Sequence, residues 1–257
     1  MPATRIRPVG HEDRLSLVDH LGELRTRLFV SLGFFLLAGS VCFWQNHAIL
    51  EVVNAPLDGK KPITLGVAEQ FTTTLTVSAY AAILISLPVL LYQAYAFVLP
   101  AFSPTERRVA LPLLLMVPVL FIAGASFAYF IVLEPAIEFL LGFNNDEFQT
   151  ELRAKEYYSF VALFLISMGA FFQMPVALIT LTKLGIVTPE QLKANRRYAI
   201  LVIAIAAALL PTIDPVTLIL EMVPLLLLYE MSIHLASFFG RPSPEAAERM
   251  AAAKDEE

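Results

Sequence analysis

Long stretches without a charged residue dominate this sequence. They cover residues 28–50, 70–105, 109–133, 157–182 and 198–213, and a further apolar stretch at 215–240 is interrupted only by Glu221 and Glu230. A helix needs about 20 mostly apolar residues to cross a bilayer, so each stretch predicts a membrane span. We therefore expect an all-α integral membrane protein with six transmembrane helices, of which the fifth and sixth are short.

The six spans are predicted to form a single membrane domain at 28–238. The charge pattern gives them bounds of about 28–46, 72–98, 109–132, 158–182, 197–211 and 216–237. In this prediction residues 1–27 are a cytoplasmic N-terminal amphipathic segment and residues 239–257 are a disordered cytoplasmic tail. Proline removes an intrahelical hydrogen bond, so we expect kinks in several spans, at Pro88, Pro112, Pro118, Pro175 and Pro224.

Lysine and arginine lie mostly on one side of the predicted spans. Five precede the first span, two join the second to the third, four join the fourth to the fifth, and three follow the sixth. The opposite loops hold four, which are Lys60, Lys61, Arg153 and Lys155. Cytoplasmic loops carry the excess of positive charge, so both termini are predicted to be cytoplasmic in a multi-pass protein of the plasma (inner) membrane.

Composition excludes several other classes of protein. Hydrophobic residues make up 57% of the 257 residues and charged residues 16%, whereas soluble domains have about 25% charged residues. The net charge of −5 offers no basic surface for nucleic acid. A single cysteine, Cys42, forms no internal disulfide. No nucleophile, phosphate-loop, dinucleotide or metal motif is present, so we expect neither an enzyme nor a cofactor.

Two carboxylates flank the spans on the predicted cytoplasmic side. Glu23 precedes the first span, and Arg27 lies four residues later, so a helical ion pair between them is one interpretation. Glu106 follows Ser103 and Pro104, which is typical of a capping box at a helix start. Taken alone, each carboxylate favours a structural role.

Two further polar groups lie within or between the later spans. Gln173 is an amide in the middle of the fourth span, where it must find a hydrogen-bond partner, and an interhelical hydrogen bond is its simplest interpretation. Asp214 lies in the short turn before the sixth span, where an aspartate can cap the following helix.

Taken together, a series of short motifs resembles the TatC family, the polytopic core subunit of the twin-arginine protein translocase. The motifs are HLGELRTRL (20–28), APL (55–57), YQAYAFVLPAF (92–102) continuing to ERR (106–108), FAYF (127–130), FQMPVA (172–177), GIVTPE (185–190) and DP (214–215). They occur in the family's order and extend over about residues 15–240.

The resemblance implies a receptor rather than a catalyst. Members of the family bind the paired arginines of signal peptides on folded cargo and recruit single-span partners of the TatA/TatB type for export driven by the proton-motive force. The matching positions here are Glu23 and Glu106 for the arginines, with Phe97 as an apolar contact and Arg25 and Arg108 beside them. A guanidinium makes bidentate bonds to carboxylates that lysine cannot make.

The same resemblance implies that an inserted signal peptide or partner helix contacts Gln173, Pro211, Asp214 and Pro56. Many members have a glutamate where this chain has Gln173, so a role for an ionised group there does not transfer, whereas hydrogen bonding does. Relatives can have a hydroxyl where this chain has Pro211. The partners expected are therefore signal peptides, single-span subunits and the lipid bilayer, in an oligomeric complex and without nucleic acid.

Two other classes of protein predict different patterns. A small-solute or ion-coupled secondary transporter should show ionisable residues converging near the midplane, in paired repeats, but the charged candidates here lie at the cytoplasmic surface. An intramembrane enzyme should supply a nucleophile with a base, or metal ligands.

Overall fold

The computed structural model describes residues 17–57, 59–98, 107–144, 146–147, 151–183, 185–210 and 214–239, and of residues 17–20, 107–111 and 239 only the backbone. The helices are α1 (Leu17–Trp44), α2 (Asn46–Asn54), α3 (Glu69–Val98), α4 (Arg107–Phe127), α5 (Leu133–Gly142), α6 (Ala154–Phe171), α7 (Met174–Lys183), α8 (Pro189–Ala194), α9 (Arg196–Ala208) and α10 (Pro215–Phe239). A 3₁₀ turn, Ala55–Leu57, follows α2, and a π-helical segment, Ala128–Val132, joins α4 to α5.

The prediction of an all-α membrane protein is confirmed. Within the described residues, five stretches are long and apolar enough to cross a bilayer: Leu21–Trp44, Glu69–Val98, Pro112–Gly142, Ala154–Lys183 and Pro215–Phe238. The prediction of a short sixth span is wrong, because α10 has 25 residues. The predicted fifth span corresponds to α9, which has 13 residues. At 1.5 Å per residue α9 is about 20 Å long, shorter than a hydrocarbon layer of about 30 Å, so its crossing stays a prediction.

The first helix extends further toward the N-terminus than the predicted first span. Residues 17–27, expected to form part of a separate amphipathic segment, continue directly into the span within α1. The predicted tail at 239–257, apart from the backbone of residue 239, and most of the N-terminal segment lie outside the described residues.

The fourth predicted span is divided into two helices. α6 ends at Phe171 and α7 begins at Met174, with Pro175 as its second residue. Proline has no N–H and clashes with the preceding turn, which accounts for an interruption at this position. Pro88, Pro112, Pro118 and Pro224 lie inside continuous helices.

Within the described residues, two large clusters of buried residues form most of the core, and a small one of Ala38, Cys42 and Ala82 joins α1 to α3. One large cluster joins α3, α6 and the π-helical segment, with Phe164, Met168 and Val132 completely buried. The other large cluster joins α4, α7, α9 and α10, with Leu225 and Ile233 completely buried. α10 packs against α7 and α9, so the last two predicted spans belong to the second cluster.

Two tyrosines fix the position of α2. The Tyr129 hydroxyl, in the π-helical segment, donates to the Val52 carbonyl at 2.7 Å, and the Tyr157 hydroxyl, in α6, donates to the Val53 carbonyl at 2.7 Å. The turn that contains Pro56 follows immediately, and Leu57 within it is 2% exposed. The end of α2 is thereby held over the first core cluster.

Candidate functional site

Glu23 is part of a polar network between α1 and α3. Its Oε1 accepts hydrogen bonds from Nη2 of Arg27 at 2.6 Å and from Nε at 3.0 Å. Nη1 of the same arginine donates to Oε1 of Gln93, on α3, at 2.8 Å. The ion pair expected from the four-residue spacing is therefore present, and it also ties the start of α1 to α3.

Gln93 was not among the predicted site residues, although it lies in the YQAYAFVLPAF motif. It is 66 positions away from Arg27 in the sequence, so no local spacing rule could pair them. The motif itself was the available signal, since an amide in a 36-residue run without charge must find a partner. Phe97, half-buried, follows Gln93 by one helical turn on α3.

The other predicted signal-peptide residues are only partly covered by the structure. The guanidinium of Arg25 lies 5.7 Å from the ring centroid of Phe29, on the exposed surface of α1. Arg108 lies in the first turn of α4, where only the backbone is described, and Glu106 lies outside the described residues. The expected juxtaposition of two carboxylates therefore stays a prediction.

Gln173 forms the interhelical hydrogen bond that its position in the span suggested. Its Nε2 donates to the Val117 carbonyl on α4 at 3.2 Å and to the Gly169 carbonyl at 3.4 Å. Its Oε1 is buried and has no hydrogen-bond partner within the described residues. The amide thus fastens the α6–α7 break to α4 and retains one acceptor.

Gln173 also lines an apolar groove between α3, α4 and α7. This groove has a volume of about 390 Å³, and its wall includes Tyr95, Val176 and Thr180. Thr180 Oγ1 donates to the Tyr95 hydroxyl at 3.2 Å. These groups are the polar features of a wall that is otherwise almost entirely apolar.

A second apolar cavity lies at the other end of α3. It has a volume of about 330 Å³ and is lined by residues of α2, α3 and α6 together with Tyr129. Four of the α3 residues that line the two spaces recur every seven positions, at Val77, Leu84, Leu91 and Val98. They therefore lie along one side of α3 for about 30 Å, which is close to the thickness of a hydrocarbon layer. We call these two spaces together the α3 groove.

Asp214 caps α10. Its Oδ1 accepts a hydrogen bond from the Thr217 backbone N–H at 2.8 Å, which satisfies a donor in the first turn of the helix. Its Oδ2 is buried without a hydrogen-bond partner in the part of the chain that the structure describes. Pro56 is half-buried in a turn that packs against α5, and Pro211 lies outside the described residues.

Glu221 is a completely buried carboxylate that the sequence did not single out as a site. It lies in α10 one turn beyond Thr217, which is also completely buried. A carboxylate inside a span is expensive and usually functional, and that signal was available. Glu230, on the opposite side of α10, forms a 2.9 Å ion pair with Arg196. Among the described residues, no three His, Cys, Asp or Glu side chains are grouped to hold a metal ion.

Comparison with known proteins gives one consistent result. The family model described as Sec-independent protein translocase protein (TatC) matches residues 19–224. A protein of that name from Desulforapulum autotrophicum is 37% identical over 253 residues, covering 95% of this chain and 92% of the relative. The one from Aquifex aeolicus is 37% identical, covering 90% and 98%. A crystal structure of the twin-arginine translocase receptor TatC superimposes with a TM-score of 0.73 at 38% identity, covering 86% of this chain and 100% of that one.

Proposed function

Since the chain belongs to the TatC family of Sec-independent protein translocase proteins, we propose that Glu23 and Glu106 bind the two arginines of a twin-arginine signal peptide. The chain is a core component of that translocase. In the proposal the signal peptide belongs to a folded cargo protein and approaches from the cytoplasmic side. The observation that carries it is the network in which Arg27 joins Glu23 to Gln93.

This network presents a carboxylate that already binds a guanidinium. Glu23 Oε1 is held by two N–H groups of Arg27, and the side chain of Glu23 is 31% exposed. A second guanidinium can reach a partly exposed carboxylate with charge-assisted hydrogen bonds, which are about twice as strong as neutral ones. Phe97, one turn beyond Gln93, gives the adjacent residues of the peptide an apolar contact. Arg25 and Arg108 are the further residues of the proposed site.

The proposed site requires a particular topology. We infer six spans, with α9 as the fifth, and both termini in the cytoplasm. The excess of lysine and arginine in the N-terminal segment and in the connections from α3 to α4 and from α7 to α9 supports this orientation. In this topology Glu23 and Glu106 lie on the same side of the membrane.

The α3 groove is the proposed path for the apolar part of the signal peptide or for a partner helix of the TatA/TatB type. Its length matches one helical crossing, and its wall is almost entirely apolar. Gln173 lies in the wall of the part between α3, α4 and α7, and its Oε1, which has no hydrogen-bond partner within the described residues, is the acceptor proposed for the inserted helix. Pro56, Pro211 and Asp214 are the proposed contacts outside the groove, in a complex with several copies of its subunits.

The test is binding of a synthetic twin-arginine signal peptide and its twin-lysine version to the protein in nanodiscs. Glu23→Ala or Glu106→Ala should each weaken binding of the arginine peptide by ~1.5–3 kcal/mol, the cost of a lost charged hydrogen bond. The double variant should lose the preference for arginine over lysine. Glu190→Ala is the matched control, because Glu190 is an exposed carboxylate on α8.

Equal binding of the two peptides, unaffected by either substitution, would overturn the assignment. Glu23 would then have a structural role, as a partner of Arg27.

A further inference from the structure

The loop between α2 and α3 and the loop between α5 and α6 are joined to each other. The backbone N–H of Ile63 donates to the Leu152 carbonyl at 2.8 Å, and the N–H of Ala154 donates to the Ile63 carbonyl at 2.8 Å, which makes an isolated parallel bridge between Ile63 and Arg153. Nε of Arg153 binds Oε1 of Glu69 at 3.0 Å. We call residues 60–69 and 151–156 the clasp. α3 begins at Glu69 and α6 begins at Ala154, so the clasp lies at the level where two spans enter the membrane.

The clasp directs two apolar side chains away from the protein. Leu65 is 71% exposed and Val67 is completely exposed. Their loop is not free to turn them inward, because Oε2 of Glu69 accepts hydrogen bonds from the N–H groups of Leu65 and Gly66 at 2.6 and 3.0 Å. In water, these two side chains would forgo the free energy gained by burial. Their fixed exposure at the end of two spans points to an apolar surrounding.

The positive charges of this face are gathered in the same place. Lys60, Lys61 and Lys155 are exposed in the clasp. Arg153 forms salt bridges with Glu69 at 3.0 Å and with Glu156 at 3.4 Å, and the hydrogen bond with Glu69 raises the pKa of its guanidinium. Within the described residues, none of these three lysines has a salt bridge, although the exposed Glu151 lies in the same loop as Arg153.

We propose that the clasp is an anchor in the lipid interface. Leu65 and Val67 enter the boundary between headgroups and acyl chains, and Lys60, Lys61 and Lys155 bind lipid phosphates. Apolar side chains flanked by lysine are the pattern of interfacial segments, and lysine stems reach along apolar surface while the ammonium group stays at the phosphate level. The occupant is the phospholipid of the leaflet at this face. The anchor sets the depth of α3 and α6, the helices that line the α3 groove, and does not depend on the proposed signal-peptide site.

A tryptophan reporter tests the depth of the clasp. Trp44 is the single tryptophan of the chain, so Trp44→Phe with Val67→Trp gives one fluorescent residue. In vesicles of phosphatidylcholine brominated near the carbonyl ends of the acyl chains, this residue should lose most of its emission and resist quenching by aqueous iodide. Glu138→Trp in the same background is the control. Glu138 is exposed on α5 and belongs to the apolar stretch Pro112–Gly142. Its distance from Pro112 along this stretch is about 40 Å at 1.5 Å per residue, which exceeds a hydrocarbon layer of about 30 Å.

Equal quenching of the two reporters by bromine, with free access of iodide to both, would overturn the proposal. Shielding of the Val67→Trp reporter only after partner subunits are added would also overturn it and assign the surface to a protein partner. Leu65→Trp is the second reporter and should behave as Val67→Trp does.

Lipid binding by the three lysines is tested by placing the bromine on an anionic lipid in one sample and on a zwitterionic lipid in another. At equal mole fraction, brominated phosphatidylglycerol should quench the Val67→Trp reporter more strongly than brominated phosphatidylcholine, because anionic lipids are attracted by basic residues at the surface. Lys60→Gln, Lys61→Gln and Lys155→Gln together should abolish this preference and leave twin-arginine peptide binding unchanged. A preference that survives the triple substitution would remove the lysines from the anchor.

Discussion

The first and the last described spans have the same mean hydropathy but opposite surroundings. Of the 18 most apolar consecutive residues in Leu21–Trp44, 6% are buried inside the protein, whereas in Pro215–Phe238 39% are buried. α1 packs mainly on α3, through Ala38, Cys42 and Ala82, while α10 packs on α7 and α9. Hydropathy alone therefore does not distinguish a span whose apolar surface faces lipid or partners from one that builds the core.

The largest effect is expected from adding one methyl group to a glycine in a tightly packed helix contact, compared with the same change in the looser contact of α1. A Cβ at Gly124, on α4, would lie 2.6 Å from the ring of Phe172 and 2.9 Å from the Met168 carbonyl. Since backbone cannot move aside cheaply, Gly124→Ala should destabilise the protein by ~1–3 kcal/mol. Thermal unfolding in nanodiscs measures this. Gly39→Ala, on α1, is the control, because its Cβ would lie 3.7 Å from Ala82. Equal losses for both would refute the contrast.

A smaller effect is expected from crowding the contact between α1 and α3. Ala82 is completely buried against α1, so Ala82→Leu should push α1 outward at a cost of about 1 kcal/mol, at the lower end for overpacking, because α1 has room to move. Cys42, 3% exposed in the same contact, should then react faster with a membrane-permeant maleimide. Leu75→Ala, at an exposed position of α3, should leave the reaction rate unchanged. An unchanged rate in Ala82→Leu would mean that α1 is held elsewhere.

A comparable or smaller loss of stability is expected from removing one hydroxyl that holds α2. Tyr157→Phe deletes the 2.7 Å hydrogen bond to the Val53 carbonyl, and the loss should be ~0.5–1.5 kcal/mol of stability. Chemical denaturation in mixed micelles provides the measurement. Tyr198→Phe, whose ring is exposed on α9, should be nearly neutral. If the two variants unfold alike, the tyrosines do not hold α2.

The smallest loss of stability is expected from breaking a surface ion pair between α9 and α10. The side chains of Arg196 and Glu230 are 49% and 43% exposed, so solvent screens their 2.9 Å contact. Glu230→Gln should cost no more than ~0.5 kcal/mol, and the difference should vanish at high salt. A loss that persists at high salt would show that the pair is more than a screened surface contact.

The sequence predicts contacts between residues that are close along the chain better than contacts between residues that are far apart along it. The Glu23–Arg27 pair follows from a four-residue spacing and is present, whereas Gln93 joins it from another helix and left no local pattern. Gln173 was predicted to bond across helices, but its partner, the Val117 carbonyl, is a backbone group that no side-chain motif specifies. The burial of Glu221 depends on packing between helices. Glu106, Arg108 and Pro211 stay predictions.

The π-helical segment between α4 and α5 also bears on how this chain tolerates changes in length. Such a segment holds one residue more than an α-helical path between the same ends. Deleting a residue within Ala128–Val132 would therefore restore α-helical hydrogen bonding there and leave the flanking helices in register, because the segment absorbs its extra residue locally. The same deletion in the regular part of α4 or α5 would rotate all residues beyond it by about 100°. The segment is thus the place where this span tolerates the loss of one residue, provided that Tyr129, whose hydroxyl binds the Val52 carbonyl, is kept.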